Sequence, residues 1–70
     1  MQIKREHLRN ARRARGWTAL ELAEQIGVSE NQVYFTERGR TKPKQDAALR
    51  WSAALGMNPE QAFPELFSGG

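Results

Sequence analysis

TALELAEQIGVSENQVYFTERG, residues 18–39, decides the fold of this chain. Thr18 is an N-cap residue, and Glu21 three positions on completes a capping-box pattern. Leu22, Ala23 and Ile26 recur at helical spacing, so the helix has one apolar face. Gly27 ends it, since the turn calls for a left-handed residue and glycine adopts that conformation without a Cβ clash. Val28 plugs the corner. Ser29 caps a second helix whose inward residues are Val33 and Thr36, and Gly39 closes that helix in turn. Two short helices crossing steeply at such a turn form a helix-turn-helix.

Outward from this stretch, a first helix is expected from about Arg5 to Arg15, with Leu8, Ala11 and the stem of Arg12 facing inward and Gly16 as its stop. Trp17 is expected in the core between the first two helices. A fourth helix from Lys44 to Leu55 draws its buried face from Ala48, Leu49, Trp51, Ser52 and Leu55, and Gly56 ends it. Asn58 and Pro59 open a short fifth helix as N-cap and first residue, and Pro64 terminates it. The expected architecture is therefore all-α, five helices in a single domain over residues 1–67, with a flexible Ser-Gly-Gly end at 68–70.

Composition bounds the function. Seventy residues is near the lower limit for a domain without staples. The absence of cysteine excludes a disulfide framework and a thiolate zinc site, and the single His7 makes no metal site alone. No apolar run approaches a membrane span and no leader pattern opens the chain, so a cytoplasmic protein is expected. There is no nucleophile–base pair, carboxylate couple or phosphate-cradling glycine loop. An enzyme is therefore not expected, nor a cofactor or a small-molecule substrate.

The net charge of +3 conceals a strong pattern. Residues 1–16 carry six bases against Glu6, residues 17–37 carry four acids and no base, and residues 38–50 carry five bases against Asp46. Two basic segments thus flank an acidic one. A polyanion touching the first helix, through Arg9 and Arg13, and the loop after the third helix would meet most of the positive charge. The same bases could instead merely solvate a surface.

The chain resembles the lambda-repressor-like (Xre, Cro/CI-type) helix-turn-helix proteins. The matching residues are Leu8 and Arg12, Gly16-Trp17-Thr18, Glu21-Leu22-Ala23, Ile26-Gly27-Val28-Ser29, Val33, Glu37-Arg38-Gly39-Arg40, Pro43, Leu55-Gly56 and Phe63. The resemblance implies a double-stranded DNA-binding transcriptional regulator, acting as a dimeric repressor on a palindromic operator. Phage, plasmid and restriction-controller proteins are of this type. It implies a partly buried ion pair between Arg12 and Glu37, suited to a guanidinium fork. It makes the helix from Ser29 to Arg38 the recognition helix, presenting Glu30, Asn31, Gln32, Tyr34 and Phe35. Amides can pair with adenine, a carboxylate with cytosine N4, and an apolar ring with the thymine methyl.

The loop RGRTKPK, with Arg38, Arg40, Lys42 and Lys44, would follow the DNA backbone, joined by the helix start at Thr18. At Ala19 many family members carry a glutamine that donates to phosphate, so one anchor is missing here. Glu30 either reads cytosine or interacts with the helix dipole, and Phe35 either meets the DNA or turns inward beside the small Thr36. The apolar tail either folds back on the core or supplies a dimer seam from Met57, Phe63, Leu66 and Phe67. A protein-interaction module on the same fold, such as an antitoxin, is the alternative to a DNA regulator.

Overall fold

The computed structural model describes residues 4–67. Its helices are α1 (Glu6–Ala14), α2 (Ala19–Ile26), α3 (Glu30–Glu37), α4 (Gln45–Leu55), α5 (Pro59–Ala62) and α6 (Pro64–Phe67). No strand occurs among the described residues, and no helix there is long and apolar enough to cross a membrane. The end at 68–70 lies outside the described residues.

The helix-turn-helix forms as its residues dictate. Thr18 Oγ1 accepts from the Glu21 amide at 3.1 Å, and the Glu21 carboxylate accepts from the Thr18 amide at 3.0 Å. Two donors that the first turn leaves without helical partners are thereby satisfied. Gly27 sits at φ +76°, and its amide donates to the Ala23 carbonyl at 2.8 Å. This left-handed residue reverses the chain, so that Ser29, two positions on, already caps α3.

The core is small but dense in large side chains. Leu8, Leu22, Ile26, Val33, Ala48, Trp51 and Phe63 are all but inaccessible to solvent. Trp51 and Phe63 meet edge to face, with centroids 5.8 Å apart and planes at 81°, a favoured aromatic geometry. The Trp51 Nε1–H has no hydrogen-bond partner among the described residues. Small Ala47 and Ala48 beside Trp51 on α4 accommodate the indole, while Leu49 points outward, 45% exposed. Trp17 is only half-buried, with the Arg15 guanidinium 5.5 Å above its ring.

Pro64 does not merely terminate α5. It opens a sixth, one-turn helix, because its fixed φ and missing N–H suit a first helical position. The turn carries Leu66 and Phe67 back against the core, so the tail folds onto the domain. Phe63, expected on a dimer seam, is 0% exposed. Trp51 covers one side of it and the Arg5 guanidinium lies 5.6 Å from its ring. A side chain so enclosed is withdrawn from any interface; Met57, Leu66 and Phe67 remain half-buried at the surface.

Candidate nucleic-acid interface

The candidate surface is built on α3. Val33, Thr36 and Glu37 face inward, which by helical periodicity turns Asn31, Tyr34, Phe35 and Arg38 outward. Ser29 Oγ accepts from the Gln32 amide at 3.1 Å, fixing the helix start. Asn31 and Glu30 are exposed there and Gln32 is half-buried. Phe35 is 39% exposed and does not fill the space beside Thr36. That space goes to Thr41, whose hydroxyl lies 3.4 Å from that of Thr36. Tyr34 is also 39% exposed, with the Arg38 guanidinium 5.8 Å from its ring centre.

Two buried arginines hold α3 in place. Arg12 on α1 donates from Nε to Glu37 Oε2 at 2.8 Å and from Nη2 to Oε1 at 3.2 Å. Its Nη1 donates to the Trp17 carbonyl at 2.9 Å, so one fork joins α1, the α1–α2 corner and the end of α3. The hydrogen bond to Glu37 raises the guanidinium pKa above its ordinary value against the opposing effect of burial. Arg12 therefore stays charged, and the bidentate pairing sets the rotation of α3 about its axis.

Arg5 is the second anchor, and nothing in the local pattern marks it. It is 2% exposed. Its Nη1 donates to the carbonyls of Thr36 at 2.7 Å and Thr41 at 3.1 Å, and its Nε donates to Glu65 Oε1 at 2.6 Å. Its amide donates to the Glu37 carbonyl at 2.8 Å. At the end of α3 the Thr36 carbonyl, which also accepts from the Gly39 amide at 3.1 Å, is thus met by a cation, and the Glu37 carbonyl by the Arg5 amide. Burial pushes the Glu65 carboxyl upward, but its own backbone amide and then Arg5 outweigh it and hold it below the ordinary value. His7 adds a further tie, its Nε2–H donating to the Ala62 carbonyl at 2.8 Å.

The loop after α3 is ordered by these contacts. The Arg40 amide donates to the Phe35 carbonyl at 2.8 Å, and Pro43 is buried. Arg38, Arg40, Lys42 and Lys44 are all exposed, with no carboxylate within ion-pair distance among the described residues. Arg9 and Arg13 on α1 are likewise exposed and unpaired there. Thr18 is exposed at the start of α2, its hydroxyl engaged in the cap. Ala19 beside it is 2% exposed, so its side chain packs into the core and offers nothing to a strand.

Folding brings together what the sequence separates. Lys4, Arg9 and Arg13 from the first basic segment and Arg38 and Arg40 from the second line one cleft of about 500 Å³ between α1 and the end of α3. The surface therefore carries hydrogen-bonding amides at the α3 N-terminus and a concentration of unneutralised cations along its flank.

The helix-turn-helix family model matches residues 8–61. The fold is similar to that of the restriction-modification controller protein C.AhdI from Aeromonas hydrophila, with a TM-score of 0.72 and 30% sequence identity, covering 80% of this chain and 85% of that one. No curated protein matches the sequence significantly. The chain belongs to the Xre, lambda-repressor-like helix-turn-helix family of DNA-binding transcription regulators.

Proposed function

We propose that the chain represses transcription by occupying a palindromic operator as a homodimer in the cytoplasm. The observation that carries this reading is the serine-capped start of α3, where Asn31 is exposed next to half-buried Gln32, on a helix whose other end carries exposed cations with no acidic partner among the described residues. Asn31 and Gln32 would pair with adenine edges, Glu30 would accept from cytosine, and Tyr34 and Phe35 would meet thymine methyls or sugars. Arg38, Arg40, Lys42, Lys44, Arg9, Arg13 and the backbone at Thr18 would fix the register on the phosphates. The likeness to a restriction-modification controller supports the restriction-controller variant of this role.

Pairing would use the apolar side chains left at the surface of α4 and the tail: Leu49, Met57, Leu66 and Phe67. Two recognition helices would then lie one helical turn of DNA apart, roughly 34 Å.

Selection of bound duplexes from a random pool tests the reading. The expected product is a consensus with two inverted half-sites about 10 base pairs apart. With about six phosphate contacts, affinity falls by roughly three decades between 50 and 200 mM salt. A pool that enriches no sequence, together with binding indifferent to salt, would replace DNA with a protein partner as the occupant of this face.

A further inference from the structure

The cleft between α1 and α3 has more positive charge than reading bases requires. Lys4, Arg9, Arg13, Arg38 and Arg40 converge on it, while Glu6 is the sole unpaired acid on its wall. The second acid there, Glu37, is committed to Arg12 by two hydrogen bonds. Like charges gathered on one concave wall repel one another, and a concave wall focuses their field on whatever enters. Its volume of about 500 Å³ falls within the range of small-ligand sites. Tyr34 contributes an aromatic wall, with Arg38 beside its ring.

We propose that this cleft is a binding site for closely spaced phosphates, separate from the base-reading end of α3. Guanidinium forks from Arg9 and Arg13, one helical turn apart on α1, would grip from one side. Arg38 and Arg40 would grip from the other. The occupant is a free oligophosphate of the nucleoside triphosphate class, an assignment that does not depend on the DNA-binding reading. A free oligophosphate held here would compete with DNA for Arg38 and Arg40, and so would act as an effector.

The test titrates inorganic triphosphate into the full chain at fixed ionic strength. The readouts are amide and side-chain Nε–H nuclear magnetic resonance signals, with random duplex DNA in a parallel arm. Arg9 and Arg13 make no side-chain hydrogen bond or ion pair among the described residues, so Arg9→Gln with Arg13→Gln leaves the fold intact, as circular dichroism would verify. Arg50→Gln, a charge loss on α4, serves as the control.

The expected result is saturable shifts at Arg9, Arg13, Tyr34 and Arg38. The double variant, which removes two charge-assisted contacts, should weaken triphosphate by more than the roughly tenfold expected from losing one, and the control should not. If triphosphate leaves the spectrum unmoved but the double variant weakens every duplex alike, the cleft is only part of the phosphate surface already proposed for DNA, and the proposal falls. If triphosphate binds and no duplex does, the cleft stands and the DNA reading falls. Absence of triphosphate shifts, together with unchanged duplex affinity in the double variant, would overturn the proposal and also remove Arg9 and Arg13 from the phosphate contacts proposed above, while leaving base reading by Asn31 and Gln32 standing.

Discussion

Glu37→Ala should cost the domain a large part of its stability. Glu37 is 6% exposed and Arg12 7%, and the two share a bidentate bond at 2.8 and 3.2 Å. Removing the carboxylate leaves the guanidinium with one remaining protein acceptor, the Trp17 carbonyl. Breaking a buried pair from one side costs about 3–5 kcal/mol. Arg12 also lines the basic cleft, so water can reach it and the lower figure applies, about 3 kcal/mol. For a domain of this length each kcal/mol moves Tm by about 4–8 °C, which gives a fall of about 12–24 °C. Total stability is only about 3.5–10 kcal/mol.

Thermal unfolding followed by circular dichroism measures the effect, with urea titration as a check that the m-value is unchanged. Replacing both partners, Arg12→Met with Glu37→Leu, should restore most of the loss, because the penalty lies in the stranded charge. A Tm for Glu37→Ala within about 4 °C of the parent would refute the reasoning. So would a double variant no more stable than the single one.

Three further outcomes are expected. Asn31→Ala and Gln32→Ala should each relax base preference at one operator position and cost about 1–3 kcal/mol of binding, measured against a panel of single-base operator variants; uniform weakening across the panel would contradict base reading. Arg40→Ala and Lys42→Ala should weaken all duplexes alike and flatten the slope of log affinity against log salt by about 1 each, and an unaltered slope would remove them from the phosphate surface. The Glu65 carboxyl is held below its ordinary value, so the unfolded chain takes up its proton first as the solution is acidified. Its contribution is therefore complete above pH 4.5 and fades below it. Exposed Asp46, lowered by the Ala47 amide and then by Arg50, adds to the same slope. The difference between parent and Glu65→Gln in urea titrations from pH 6 to 3 isolates Glu65, and identical slopes would remove the Arg5 pairing.

Local signals in the sequence were legible wherever their partners lie within a few residues. The Thr18–Glu21 box, the left-handed Gly27, the Ser29 cap and the Asn58–Pro59 start are all short-range chemistry, and each appears as its residues dictate. The pairing of Arg12 with Glu37 crosses 25 positions and was accessible only through family resemblance. Arg5 was not legible. It counts as one more base in a basic segment, yet its partners stand 31, 36 and 60 positions away, and no periodicity encodes them.

Phe63 was misplaced for a related reason, since an apolar side chain near the end of a chain suits a core and a seam equally. Leu49, one of five alternatives for the buried face of α4, is exposed because Trp51 and the alanines beside it fill that face. The charge blocks were visible, but their convergence on one cleft depends on how α1 crosses α3.

The Arg5 fork also bears on synthesis. By the time residue 37 has left the ribosome, every residue of the helix-turn-helix exists, but the guanidinium that caps α3 still lacks its carboxylate at position 65. A contact spanning 60 positions forms late, since loop closure must precede it. Until α6 emerges, α3 therefore relies on the Arg12–Glu37 pair and an Arg5 without its carboxylate, and a stall or nick upstream of Glu65 yields a chain with its helix-turn-helix intact and its second clasp incomplete.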